Sequence, residues 1–293
     1  MYLMSYFRTE SEALHLAVSA DGLKWEPLNE NRPIWHAPVG NESVRDPFIL
    51  RDEDGIYRLF STNSWYSDSI IVADSTDLLE WTNPRVVLLM ANVAGTRNCW
   101  APECFFDAEA KLYRVIFSSS QDVRTNREME DSADWNHRIW SCSTPDFETW
   151  SAPEPFFDPG YSVIDACVVP VSATRWMMGW KDERGSNESE GRTVSKRIKV
   201  SFAPSGLGPW SEESEFLTPD RSEGPTFFQR DGGWTIFFDA FIDHYFGALH
   251  SDDEGRTWRD ISAQVEFPPE PRHASVIEIP DVDGERLLAR WKG

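Results

Sequence analysis

Basic residues are scarce: 28 Lys and Arg stand against 49 Asp and Glu in 293 residues, so that 28 − 49 = −21. A field of that sign repels nucleic acid and anionic membrane surfaces, leaving a neutral or cationic small molecule or oligosaccharide as the partner to expect. Cysteine is scarce as well. Cys99, Cys104, Cys142 and Cys167 make no CxxC pair and no His/Cys group with zinc spacing, which excludes a zinc module, and two of them lie in apolar runs expected in the core. No apolar run approaches the roughly 20 residues of a membrane helix. Met1 leads at once into the strand-like Tyr2-Leu3-Met4-Ser5-Tyr6-Phe7 rather than a basic leader. The expectation is a cytoplasmic enzyme, with a secreted mature chain reading the same way.

What the chain does contain is a repeat. One titratable residue precedes an apolar run five times, at Asp46, Glu103, Asp165, Glu223 and His273, and after the first four an aromatic opens a second run at Tyr57, Tyr113, Trp176 and Trp234. The offsets are 11, 10, 11 and 11 residues. Polar turns ending in Trp25, Trp81, Trp150, Trp210 and Trp258 form a second fivefold set, each after a short period-two run of strand type. Their spacings of 56, 69, 60 and 48 residues suit four short strands and their loops.

This pattern predicts an all-β, five-bladed β-propeller forming a single domain over residues 1–293. The unit is an A strand after the titratable residue, a B strand at the aromatic, a C strand before the polar turn and a D strand around the tryptophan. Blades run over about 46–88, 103–153, 165–214 and 223–261. The fifth starts at His273 and takes its remaining strands from the N-terminus, so that joining the two ends closes the ring. Residues 285–291 are expected as a short terminal helix on the outside.

In a propeller the A strands line the axis in one direction, so their starting residues converge on one face. The B strands return there at Thr62, Ser118, Lys181 and Asp239, together with the B-to-C loops, while the tryptophan turns fall on the far side. Five titratable groups in one funnel push each other's pKa values apart, leaving one acid protonated and another ionised, as glycoside hydrolysis requires. Strand-end carboxylates capping backbone amides are the plainer reading of any one of them.

The motifs that carry a family resemblance are Ser19-Ala20-Asp21-Gly22-Leu23-Lys24-Trp25, Val44-Arg45-Asp46-Pro47-Phe48-Ile49, Trp100-Ala101-Pro102-Glu103, Ile164-Asp165-Ala166, Lys181-Asp182-Glu183, Glu223-Gly224-Pro225-Thr226 and Pro271-Arg272-His273. Over nearly its whole length the chain resembles glycoside hydrolase family 43, five-bladed propellers that release α-L-arabinofuranosyl or β-D-xylosyl units with inversion. The resemblance implies Asp46 as the general base, Glu223 as the general acid and Asp165 as the modulator of Glu223. It implies no cofactor for the chemistry. For His273 it implies a place on the axis, where relatives often hold a calcium ion; a hydrogen-bonded spacer serves equally, and both readings stay open. Glu103 is expected to bind sugar hydroxyls or His273, and Lys181 to lower nearby carboxylate pKa values. Trp65, Trp100, Phe241 and Tyr245 are the rings expected against sugar faces. Cys167 and Ala274 depart from the family pattern, as do polar inserts at 124–136 and 185–192 that are expected to narrow the active face toward exo action.

Ser251-Asp252-Asp253-Glu254-Gly255-Arg256-Thr257-Trp258 also fits the turn box of sialidases. A sialidase needs clustered arginines and a tyrosine nucleophile, whereas these mouth positions are acidic. Related propeller enzymes acting on fructosides, anhydro-sugars or mannosides stay open, a phosphorylase among them requiring a basic cluster at the mouth. So does a noncatalytic carbohydrate-binding propeller.

Overall fold

Apolar and polar residues alternate through the runs at 45–51, 57–62 and 70–75, and short polar turns separate them; such segments pair with their sequence neighbours as antiparallel strands. A computed structural model describes residues 1–121, 135–185 and 195–291. The expected inserts therefore lie almost wholly outside the described residues, and so does the argument for exo action built on them.

Five sheets surround a central axis. Their innermost strands are Arg45–Arg51, Trp100–Asp107, Val163–Ser172, Glu223–Arg230 and Arg272–Glu278. These pack side by side in that order and the last returns to the first, which makes the five-bladed β-propeller. The fifth sheet is Arg272–Glu278, Tyr2–Phe7, His15–Ser19 and Glu26–Pro27, so the N-terminal strands complete the blade begun near His273. Met4 opposite Val276 and Ser5 opposite Ser275 fix its register.

Five apolar clusters fill the seams between adjacent blades. Trp25, for example, meets Phe237 of the fourth blade edge-to-face at 5.9 Å. The polar turns before the tryptophans are built alike in four blades: Ser19, Ser75, Thr144 and Ser251 accept a backbone N–H through the hydroxyl, and Asp21, Asp77, Asp146 and Asp253 accept others. They sit at the ends of the strands opposite Asp46.

The third blade departs from expectation. It has three strands, since the chain after Ala203 carries Pro204, Pro209 and Pro219 and ties to Arg197–Ala203 only at intervals, through the N–H groups of Ser211, Ser214 and Leu217. The terminal helix also begins earlier, spanning Asp281–Trp291. Asp281 and Asp283 favour its N-terminus, and Gly284, which reads as a breaker, is there because a Cβ would lie 2.0 Å from Met1 Sδ. The Tyr57 hydroxyl donates to Asp283 at 2.6 Å, docking the helix on the first blade.

Candidate active site

Every inner strand breaks its pairing at the mouth. Before the break Arg45, Trp100, Ile164 and Glu223 pair with Thr62, Ser118, Lys181 and Asp239, and Arg272 pairs with Phe7; three residues later the ladder resumes at Phe48, Glu103, Cys167, Thr226 and Ser275. The extra residue is a bulge in left-handed conformation: Asp46 (φ 48°), Ala101 (φ 47°), Asp165 (φ 57°), Gly224 (φ 57°) and His273 (φ 35°). Asp and His tolerate that region better than most residues, yet each still stores strain there, a pattern typical of functional sites. Asp46, Asp165 and His273 are thus true equivalents. Glu223 stands one residue earlier, and Glu103 one layer deeper, so the expected ring of five equivalent groups is corrected to three with Glu223 beside them.

His273 joins the two aspartates. Its Nδ1 lies 3.3 Å from Asp46 Oδ1 and 4.0 Å from Asp165 Oδ2. The other Asp46 oxygen, Oδ2, accepts the Thr62 hydroxyl at 2.6 Å, and the Thr62 oxygen accepts the Ala101 N–H at 2.8 Å, so a neighbouring blade orients the carboxylate. Asp165 is buried; its N–H donates to Ser118 Oγ at 3.0 Å and its Oδ2 accepts the Gly224 N–H at 3.2 Å. Burial, with Glu223 and Asp46 adding to it, pushes the Asp165 carboxyl up to about 7 against the pull of His273 and Lys181. For His273 burial favours the neutral ring, but Asp46, Asp165 and Glu223 outweigh it and raise its pKa.

Glu223 lies in a chain of alternating charge. Arg272 Nη2 donates to its Oε1 at 3.0 Å and Lys181 Nζ to its Oε2 at 2.9 Å. Beyond them, Arg272 Nε binds Asp239 at 2.5 Å, Lys181 binds the fully buried Glu183 at 2.6 Å, and Lys196 reaches Glu183 at 3.5 Å. Burial works against ionising Glu223, but Lys181 and Arg272 prevail and hold its carboxyl at about 2. The same burial, with Glu223 nearby, lifts Asp239 to about 6 despite Arg272. Of the two, Asp165 is therefore the readier to hold a proton and Glu223 the readier to carry charge.

These groups open onto one cavity of about 320 Å³, lined among others by Asp46, Asp165, Lys181, Glu223, Arg272 and His273. Trp65 and Trp100 wall one side, their rings edge-to-face at 5.2 Å, with the Trp100 indole donating to the Trp65 carbonyl at 3.1 Å. Phe241 lines the cavity too, with Lys181 Nζ 4.5 Å from its ring centroid, a cation–π contact beside the Lys181–Glu223 pair. Two expected sugar contacts lie elsewhere. Glu103 is outside the lining, buried below the mouth, where desolvation raises its carboxyl to about 8 with Cys167 as a hydrogen-bond partner. Tyr245 lines a neighbouring cavity.

Of the two readings for His273, its contacts favour the hydrogen-bonded spacer. Calcium takes six to eight oxygen ligands; His273 instead points Nδ1 at two carboxylates that favour its protonated form, and among the described residues no group of three His, Cys, Asp or Glu side chains is placed to hold an ion. Thr62, Lys196, Arg45, Thr9 and Ile242 also line the cavity, and Glu183 lies behind it. Thr62 was legible as a strand end and Glu183 as part of Lys181-Asp182-Glu183; Thr9 carries no sequence signal, because it lies outside the fivefold register.

Residues 1–285 match a family described as a probable glycosyl hydrolase domain, related to glycoside hydrolase family 43. The chain belongs to this family. Among curated proteins, the family 43-related chain is 27% identical over 246 residues to an alpha-L-arabinofuranosidase of Bifidobacterium longum subsp. longum. That match covers 76% of this chain but 22% of the relative, so the chain spans about a fifth of its length. Similar solved structures include a thermostable family-43 glycoside hydrolase (TM-score 0.62, 19% identity, 84% of this chain and 83% of that one). An alpha-L-arabinofuranosidase from Lactobacillus brevis follows at TM-score 0.59, 17% identity and coverage of 75% and 72%. The β-xylosidase RS223 gives 0.60, 15%, 80% and 82%. At these identities the structures establish the family 43-type propeller fold.

Proposed function

We propose that the chain is an inverting glycoside hydrolase that releases α-L-arabinofuranosyl or β-D-xylosyl units from glycans or their oligosaccharides. One observation carries this reading: Asp46 and Glu223, on blades that are not neighbours in the ring, face a single sugar-sized cavity together with Asp165, which lies between them in chain order. Inversion needs a base and an acid about 6.5–9.5 Å apart, with room for water on the base side. Asp46, oriented by Thr62 and His273, is the base that deprotonates that water. Glu223 is the acid that protonates the departing oxygen.

Lys181 and Arg272 favour the ionised form of Glu223, so it must receive a proton before it donates one. Asp165 and Glu223 influence each other's titration, and the proton they hold rests on Asp165. A leaving-group oxygen arriving at Glu223 competes for the donors Lys181 and Arg272, weakening the charges that hold Glu223 ionised and shifting the shared proton toward it. The modulating role of Asp165 is then that of a proton reserve.

A basic cluster does line the cavity, comprising Arg45, Lys181, Lys196 and Arg272. Each member faces a carboxylate: Glu12 for Arg45, Glu183 and Glu223 for Lys181, Glu183 for Lys196, and Asp239 and Glu223 for Arg272. That neutralisation favours water over phosphate as the acceptor. Nitrophenyl α-L-arabinofuranoside and nitrophenyl β-D-xyloside test the reading. Release from one of them is expected, with Asp46→Asn and Glu223→Gln each lowering kcat by about 10²–10⁴-fold, the range of general acid–base catalysis, while affinity for the free sugar persists. Tight sugar binding with no release from either glycoside points instead to a binding module.

A further inference from the structure

Glu223 has an acid directly across from it: Asp239 is its partner where Glu223–Arg230 pairs with Gly233–Ala240. Like charges opposite one another on antiparallel strands repel. Burial strengthens that repulsion, since Asp239 is almost wholly enclosed. A neutral amide at 239 would accept the same hydrogen bonds without it, so the charge of Asp239 calls for a role of its own.

Arg272, from the next blade, joins the two acids. Its Nε donates to Asp239 Oδ2 at 2.5 Å, its Nη2 to Glu223 Oε1 at 3.0 Å and its Nη1 to Thr9 Oγ1 at 3.2 Å. Asp239 Oδ2 also accepts the His273 N–H at 3.3 Å, so one carboxylate holds both the guanidinium and the bulge that carries the imidazole. The other cation on Glu223 is backed alike, by the fully buried Glu183 at 2.6 Å from Lys181. Glu183 serves Lys196 as well, whereas the ion pair of Asp239 is with Arg272.

We propose that Asp239 is a positioning residue that keeps Glu223 able to take up a proton, by drawing the charge of Arg272 away from it. The inference rests on the inverting reading above, with Glu223 as the acid. Two cations bound to one carboxylate favour its ionised form, which has no proton to donate. An anion on the far side of Arg272 offsets part of that pull, and its repulsion of Glu223 acts in the same sense. Asp239 is absent from the lining of the catalytic cavity, so it acts through Arg272 and not on the sugar.

The test compares kcat/KM for the phenyl and the dinitrophenyl glycoside of the sugar that the full chain releases. The assay is run at about pH 7, where Asp239, raised to about 6, carries its charge. A dinitrophenolate departs with little help, whereas a phenolate needs the proton of the acid. Asp239→Asn keeps the shape and the acceptor oxygen and removes the charge. It should lower kcat/KM about tenfold more on the phenyl than on the dinitrophenyl glycoside. A misfolded fraction would lower both rates alike and leave their ratio unmoved. In Arg272→Gln, where the linking cation is gone, adding Asp239→Asn should move the ratio no further. Equal losses on the two glycosides, or a further shift in the absence of Arg272, overturn this role while the hydrolase reading stands. If the unaltered chain releases neither leaving group, the hydrolase reading fails and this role fails with it.

Discussion

Two carboxyl groups within one cavity are driven in opposite directions, and pairwise charge decides which goes where. Asp165 is held up at about 7 by burial and by its anionic neighbours, while Glu223, less deeply buried, is held down at about 2 by Lys181 and Arg272. If the proton given to the leaving group is the one this pair carries, the active form is the one with Asp165 protonated, which exists below pH 7 and is lost above it. kcat/KM is therefore expected to fall about tenfold per pH unit above about pH 7, and Asp165→Asn should remove that limb along with most of the activity. A wild-type profile flat from about pH 6 to 9 contradicts the proton-reserve role. The sequence named Asp46, Asp165 and Glu223, but it could not show this ordering. Lys181 is 42 residues from Glu223 and Arg272 is 49 residues from it, and only their meeting in space sets the charge.

At the scale of the strand, the device that aims these side chains is the bulge repeated in every inner strand. Gly224 occupies it in the fourth blade at φ 57°, and a Cβ there would lie 2.9 Å from His273 Cγ. Gly224→Ala is thus expected to cost about 1–3 kcal/mol in chemical denaturation, combining left-handed strain with displacement of the imidazole. Gly232, at φ 77° with nothing within 4 Å of the place a Cβ would take, is the control, and Gly232→Ala should cost only the backbone part of that loss. Equal losses at the two sites would show that His273 gives way freely. The bulges also explain where the sequence misled. Offsets of 11, 10, 11 and 11 residues aligned Glu103 and Glu223 with Asp46, but from the bulge residues Asp46, Ala101, Asp165 and Gly224 to the same aromatics they are 11, 12, 11 and 10. Hairpins one residue longer or shorter made unlike positions look alike. Period-two alternation carries no mark of the extra residue that shifts a register.

For the whole molecule, the buried acids make stability depend on pH with a definite sign. Glu103 rises from 4.5 to about 8, Asp165 from 3.8 to about 7 and Asp239 from 3.8 to about 6, so the folded chain binds these protons more tightly than the unfolded one. Their contribution is complete below about pH 4 and disappears as pH rises through 6 to 8. Glu223 and Glu183 are shifted the other way, and what they add is lost only on acidification below about 4.5; His15, held down to about 4, and His250, also lowered, oppose the trend below about pH 6.5, while the raised His273 reinforces it, and the three acids outnumber the two opposing rings. The net charge of −21 adds self-repulsion in the same sense. Tm is expected to be higher near pH 5 than near pH 8.5, and Glu103→Gln should flatten the curve above about pH 7. A Tm that climbs over that interval would rule the account out.

Residue order was enough to set the number of blades, the joining of the two termini in the fifth, and the face on which the acids gather. Each of these follows from local alternation repeated along the chain and from the hand and order of antiparallel strands. Tertiary structure alone decided that Glu103 sits beneath the mouth, that Tyr245 belongs to a second cavity, that His273 bridges two aspartates, and that four cations at the mouth are neutralised by carboxylates. These depend on the dihedral angles of single bulge residues and on charges brought together from distant blades, neither of which leaves a periodic trace in the order of residues.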